Sequence, residues 1–93
     1  MVEVSREDGD AGGRYVATTG GHTAEMTYSR AGASRIIIDH TAVPDALRGQ
    51  GVGEALVRQA VEDARSEGFK IIPLCPFAKA ILQKHPEWGD VVQ

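Results

Sequence analysis

Leu47-Arg48-Gly49-Gln50-Gly51-Val52-Gly53-Glu54 joins two segments of different periodicity. Before it, Ile36-Ile37-Ile38-Asp39-His40-Thr41-Ala42-Val43 is an extended apolar run. After it, Gly53, Leu56, Val57, Ala60, Val61 and Ala64 recur at helical spacing. Glu54, Arg58, Glu62 and Arg65 fall on the other side, with opposite charges three or four residues apart. A strand, a glycine-rich turn and a helix together present unpaired backbone N–H groups, with the positive end of a helix dipole behind them. That arrangement binds phosphate. Glycines let the backbone turn sharply and approach a ligand without a Cβ in the way.

Two phosphate-binding motifs are excluded. The dinucleotide pattern Gly-x-Gly-x-x-Gly fails in both registers: counted from Gly49 its last glycine is Glu54, and counted from Gly51 it is Leu56. No Gly-Lys-Ser/Thr is present for a nucleotide-triphosphate loop. What remains is Arg-x-x-Gly-x-Gly: Arg48, Gly51 and Gly53.

Upstream of the turn, Arg14–Thr19 reads as a strand of β-branched and aromatic residues, and Gly20-Gly21 as a hairpin. His22–Arg30 alternates, with Ala24, Met26 and Tyr28 on its apolar face, as a half-buried strand does. Ala31-Gly32-Ala33 is a second tight connection. Ser34–Val43 is the third strand, apolar on both faces around Ile36-Ile37-Ile38, which predicts a central strand covered on both sides. Three strands on short turns make an antiparallel meander, preceded by a charged, glycine-bearing leader over 1–13 that is expected to be partly loose, 1–12 in particular.

Downstream, Gly68 stops the helix as its C′ residue. Phe69–Leu74 reads as a fourth strand, reached by a right-handed crossover and therefore parallel to the third. Cys75–Lys84 predicts a short helix with Pro76 at its first position. His85–Asp90 reads as a turn, and Val91-Val92 as a last edge strand. Pro73 has no N–H for a sheet ladder, yet sits near the end of a strand expected to be internal. The third and fourth strands are therefore expected to part there, leaving backbone edges for a ligand. The whole chain, 1–93, reads as a single α/β domain built on a mixed sheet.

Bulk properties narrow the partners. Ten Lys+Arg against 13 Asp+Glu give a net charge of −3, which argues against nucleic-acid binding driven by counterion release. One cysteine forms no internal disulfide and no Cys-rich zinc framework, and the three histidines do not complete a recognisable metal set. No stretch is long and apolar enough for a membrane span or a signal peptide. A reducing cytoplasm is the expected setting.

The segments Asp39-His40-Thr41-Ala42-Val43-Pro44, Leu47–Gly53, Pro73-Leu74-Cys75-Pro76-Phe77-Ala78 and His85-Pro86-Glu87-Trp88 resemble a small YjdJ-type subgroup of the GNAT superfamily of coenzyme-A-dependent N-acetyltransferases. The likeness runs from about Arg14 to Val92. The chain lacks the one or two helices that usually follow the first strand there, and its C-terminal strands are reduced to a remnant. The resemblance implies a minimal GNAT-like fold with acetyl-CoA or CoA as co-substrate, no metal, and an unidentified amine acceptor, small molecule or protein. It implies that the N–H groups of Gly49, Gln50, Gly51, Val52, Gly53 and Glu54 take the pyrophosphate, that Arg48 adds charge, and that the edge Thr41-Ala42-Val43 pairs with the pantetheine amides, as a peptide adds a strand. A CoA-binding module with little catalysis of its own is the alternative. A homodimer is one way for so small a domain to complete its site.

Acetyl transfer needs a polarised thioester carbonyl, a neutral amine and a proton for the leaving thiolate. A backbone N–H on the open third strand suits the first task. Cys75, at a helix start, suits an acyl-accepting nucleophile or an acid for the CoA thiolate, because the dipole favours its thiolate. A buried inert thiol is the competing reading. His40 shares a face with Ile36 and Ile38 in an alternating strand. That predicts a hydrogen-bonded core histidine, with general-base character as the other reading. Thr41 then points the opposite way, toward the acetyl or pantetheine region or simply as a strand threonine.

Overall fold

The computed structural model describes residues 2–93; Met1 lies outside the described residues. Five strands run β1 (Val4–Asp8), β2 (Gly12–Thr19), β3 (His22–Arg30), β4 (Arg35–Ala42) and β5 (Lys70–Pro73), in that order across one sheet. The pairs from β1 to β4 are antiparallel, and β4–β5 is parallel. Helix α1 (Val52–Glu67) makes the crossover from β4 to β5, and α2 (Pro76–Gln83) follows β5. Short 3₁₀ turns occupy Asp45–Leu47 and Pro86–Val91.

One face of the sheet carries the core. Tyr15, Ala17, Ala24, Met26, Tyr28, Ile36, Ile38 and Ile71 are buried there against Val52, Leu56, Val57, Ala60, Val61 and Ala64 of α1. The alternation in β3 and the helical repeat in α1 meet as their sequence periods require. Gly68 ends α1 at φ 80°, and its N–H donates to the Ala64 carbonyl. Helix α2 packs beside α1 and buries Ala78 and Leu82 in the same core.

Three expectations are corrected. The leader is not loose between Val4 and Asp8: β1 pairs with β2 from Val4↔Ala17 to Asp8↔Gly13, so the meander has four strands. Strand β4 is covered on one face only; Ile37 stays partly exposed, as do Val16 and Thr27 on the same side, because no helical layer follows the first strands to cover them. The fourth predicted strand, β5, is the sheet edge. Val91-Val92 adds to it a single parallel bridge, Ile71↔Val92, with the Gln93 N–H on the Ile71 carbonyl at 2.9 Å.

Side chains from distant parts of the chain hold β1 in place. The Arg6 guanidinium lies within 5.5–5.8 Å of the ring centres of Tyr15, Tyr28 and Phe69. It donates to Glu67 at 2.5 Å and Asp63 at 3.4 Å on α1, and to the Tyr28 hydroxyl at 3.0 Å. Asp63 also accepts from the buried Tyr15 hydroxyl at 2.8 Å and from Gln59 at 3.1 Å. Asp63→Ala is therefore expected to destabilise the fold by about 1–3 kcal/mol, since it strands the Tyr15 hydroxyl. Urea unfolding with an unchanged m-value would show it; a midpoint equal to wild type would mean that water replaces the carboxylate.

Candidate functional site

Strands β4 and β5 stay paired from Arg35↔Lys70 to Ile38↔Pro73 and then separate. The last tie is the Cys75 N–H on the Ile38 carbonyl at 3.1 Å. Strand β4 continues to Ala42, paired there with β3 alone through Met26↔Thr41 and Glu25↔Ala42. Its other edge is open, as the position of Pro73 predicted. A proline can close a parallel pairing without stranding a donor.

A β-bulge sets which side chains enter the gap. Tyr28 pairs with Ile38 and Thr27 with His40, so Asp39 is the extra residue. Beyond the bulge the alternation is inverted. His40 moves to the face opposite Ile36 and Ile38 and is exposed, and Thr41 turns to the helix-bearing face beside Met26. This corrects both expected orientations: His40 is no core histidine, and Thr41 takes the helix-bearing face in its place, the two still pointing opposite ways. Asp39 accepts from the Ser29 hydroxyl at 2.5 Å.

Thr41 and Cys75 are brought together. Cys75 is buried, 5 % exposed, and its Sγ lies 3.5 Å from Thr41 Oγ1. It is the N-cap of α2, with Pro76 at the first helical position, as the sequence predicted. Burial pushes its thiol pKa up, but the Thr41 hydroxyl and the backbone N–H groups of Ala78, Phe77 and Thr41 stabilise the thiolate and leave the pKa below the ordinary thiol value.

Beyond Thr41 the glycine-rich turn forms the other wall. Gly49 and Gly51 stand at φ 78° and 75°, in the left-handed region that L side chains rarely adopt. Gly51 is the N-cap of α1, with no side-chain cap; its carbonyl accepts from Ala55 N at 3.0 Å. The first N–H groups of α1 therefore have no partner within the helix. Arg48 is mostly exposed and lies 3.1 Å from Asp45. A cleft of about 430 Å³ is lined by Thr41, Val43, Leu47, Arg48, Gly49, Gly51, Val52, Gly53, Glu54 and Phe77. His40, Ala42, Gln50 and Cys75 do not line it: His40 is exposed on the other face of β4, Ala42 pairs with Glu25, Gln50 Nε2 donates back to the Ala46 carbonyl at 2.9 Å, and Cys75 is buried behind Thr41. Leu47 and Phe77 escaped the sequence reading of the site. A Cβ on Gly53 would come within 2.4 Å of the Phe77 ring, so this glycine lets α2 close against α1.

Glycines with open space where a Cβ would stand, unpaired helix N–H groups and an open strand edge running to a thiol fit a ligand with a phosphate end and an amide-bearing arm. His22 and His40 are exposed, and His85 is engaged by carboxylates; among the described residues, no three His, Cys, Asp or Glu side chains lie together as a metal set.

A mixed sheet whose parallel strands part beside a glycine-rich helix start defines the fold of the acyl-CoA-dependent N-acetyltransferases. The profile of the GCN5-related N-acetyl-transferase family matches residues 14–91, and the chain belongs to that family. It superposes with a TM-score of 0.74 on the NMR structure of a GCN5-like protein from Staphylococcus aureus, at 37% identity over 96% of this chain and 87% of the other. It is 29% identical over 63 residues to Protein NATD1 of Xenopus tropicalis, covering 68% of this chain and 58% of that protein. The match thus spans little more than half the length of that curated relative.

Proposed function

We propose that the protein transfers the acetyl group of acetyl-CoA to the nitrogen of an amine. The observation that carries this reading is the continuity of the cleft. It runs from the positive-φ glycines at the start of α1, along the open edge of β4, to Thr41, whose hydroxyl touches the Cys75 sulfur. In this reading Gly49 to Glu54 receive the pyrophosphate, Arg48 adds a cation, and the backbone at Thr41–Val43 pairs with the pantetheine arm.

Acetyl-CoA supplies an activated thioester. Cys75 is assigned the nucleophile: its thiolate bonds to the acetyl carbon as the carbon–sulfur bond to CoA breaks, and CoA departs as a thiolate that takes a proton from solvent. The amine nitrogen then attacks the acetyl-cysteine, the carbon–sulfur bond to Cys75 breaks, and the amide forms as the amine proton passes to solvent and Cys75 is returned as the thiolate. Thr41 holds the Cys75 sulfur in both steps. His40, on the opposite face of β4, is not assigned to the reacting centre. A reducing cytoplasm suits a free catalytic thiol.

The acceptor is an amine of unspecified class. The partly exposed side of β4 around Ile37 has no helical layer to wall an acceptor pocket, and that favours one second reading, a CoA-binding module with little turnover. Calorimetry with CoA and intact mass after incubation with acetyl-CoA separate the readings. Binding together with a gain of one acetyl group, located on Cys75 by digestion, is the expected result. Binding without acetylation, and without CoA release over a panel of amines and peptides, would leave the binding module. No CoA affinity would overturn both.

A further inference from the structure

The His-Pro-Glu-Trp segment is not used by the chemistry above, yet it meets the phosphate end of the cleft. His85 sits where α2 ends and the closing 3₁₀ turn begins. Its Nδ1 lies 2.9 Å from Glu87, and its Nε2 is hydrogen-bonded to Glu54, in the first turn of α1. The imidazole is half-buried, 22% exposed, and stacked on Trp88 with ring centres 4.0 Å apart and planes 17° apart. Glu54 lines the cleft, beside the N–H groups assigned to the pyrophosphate. One ring therefore joins the helix that begins at Cys75 to the helix that begins at the glycine turn.

A carboxylate next to a pyrophosphate site is a liability, because its charge opposes the ligand. Arg58 reaches Glu54 at 3.6 Å from one side, and His85 holds it from the other. We propose that His85 is a positioning residue: as a cation between Glu54 and Glu87 it neutralises the carboxylate nearest the phosphates and ties α2 to the start of α1, so that CoA affinity follows its charge. This inference rests on the CoA reading of the cleft.

The charged groups around the ring make its ionisation decisive. Glu54 and Arg58 face it from α1 and Glu87 from the closing turn; Arg65 lies near Glu87, Lys79 lines a groove shared with His85, and Lys84 is its chain neighbour. Glu87 raises its pKa above the ordinary histidine value, and Glu54 adds to this against partial desolvation. In the folded chain the ring therefore keeps its proton to a higher pH than an ordinary histidine, and the cation that neutralises Glu54 is lost as pH rises through that raised value. Affinity should therefore be high near pH 6 and fall as the solution becomes alkaline.

The test is calorimetric titration of the full chain with acetyl-CoA from about pH 6 to 9, with constant ionic strength. Acetyl-CoA has no free thiol, and its 3′-phosphate titrates identically with every variant. Wild-type affinity should fall by about fivefold over this range beyond any slope shared with the variants, on the scale of one partly exposed ion pair. His85→Gln keeps hydrogen-bonding capacity without the cation. It should bind weakly at every pH, with the histidine-dependent slope gone. Glu54→Gln should bind at least as tightly as wild type at pH 9 and also lose that slope; it decides the matter if His85→Gln does not fold. A wild-type slope retained in both variants, or no slope beyond theirs, would overturn the role of His85 while leaving CoA binding intact. No binding by wild type at any pH would overturn the CoA reading, and this inference with it.

Discussion

Cys75→Ala is expected to lower acyl transfer by about 10²-fold or more, the scale of losing a group that acts directly in proton or acyl transfer. CoA affinity should stay within about twofold of wild type, at most about a third of the free energy behind a tenfold change. The separation follows from position. The thiol is buried behind the cleft wall, against the lining residue Thr41, while the glycine turn and the first N–H groups of α1 form the opposite part of the cleft. Alanine leaves the Cys75 N–H on the Ile38 carbonyl, so the last tie between β4 and β5 survives. Because hydrogen bonds hold the thiol below its ordinary pKa, the wild-type rate should climb with pH through a range lower than that of a free thiol. CoA release from acetyl-CoA in the presence of an amine measures the first effect and calorimetry the second. Unchanged turnover in Cys75→Ala would remove the nucleophile assignment and leave direct attack by the amine on the thioester.

Gly51→Val is expected to weaken CoA binding more than tenfold and to cost about 1–3 kcal/mol of stability through backbone strain. The mechanism is conformational. Nothing lies within 4 Å of a Cβ built on Gly51, so valine meets no wall, but φ is 75°, and a β-branched residue resists that region. Relief of the strain must rotate the peptide at the start of α1 and turn its N–H groups away from the cleft. Gly51→Asn provides the control: asparagine tolerates the left-handed region, so most stability and affinity should return. If valine bound CoA as well as glycine, the turn would not be the phosphate site. Gly53 would fail for another reason, because a Cβ there collides with the Phe77 ring. The two glycines serve backbone conformation and helix contact respectively.

The elements around the cleft were legible because local rules govern them. A 3.6-residue apolar repeat specifies the buried face of α1 wherever the helix packs, and Gly68 terminates it through its own φ. Pro73 marks the end of pairing because it lacks a donor, and Pro76 marks the start of α2 because its φ suits the first helical position. Strand β1 was not legible. Val4-Ser5-Arg6-Glu7-Asp8 is mostly charged, and it belongs to the sheet through the Arg6 contacts with three aromatic rings and with α1, more than fifty residues away in sequence.

From the sequence alone came the order of elements from β2 onward, the glycine-rich helix start, the parting of the parallel strands and the thiol at the head of α2. Each depends on the stereochemistry of a residue or on a short-range repeat. Tertiary structure alone decided which side chains face the gap. The extra residue at Asp39 is defined by pairing between β3 and β4, and one such residue exchanges the faces of His40 and Thr41. The pairing of His85 with Glu54 likewise depends on how α2 docks against α1, 31 residues apart in the chain. Periodicity carries the face of a strand only while its register is unbroken. The break in register places Thr41, and not His40, against Cys75.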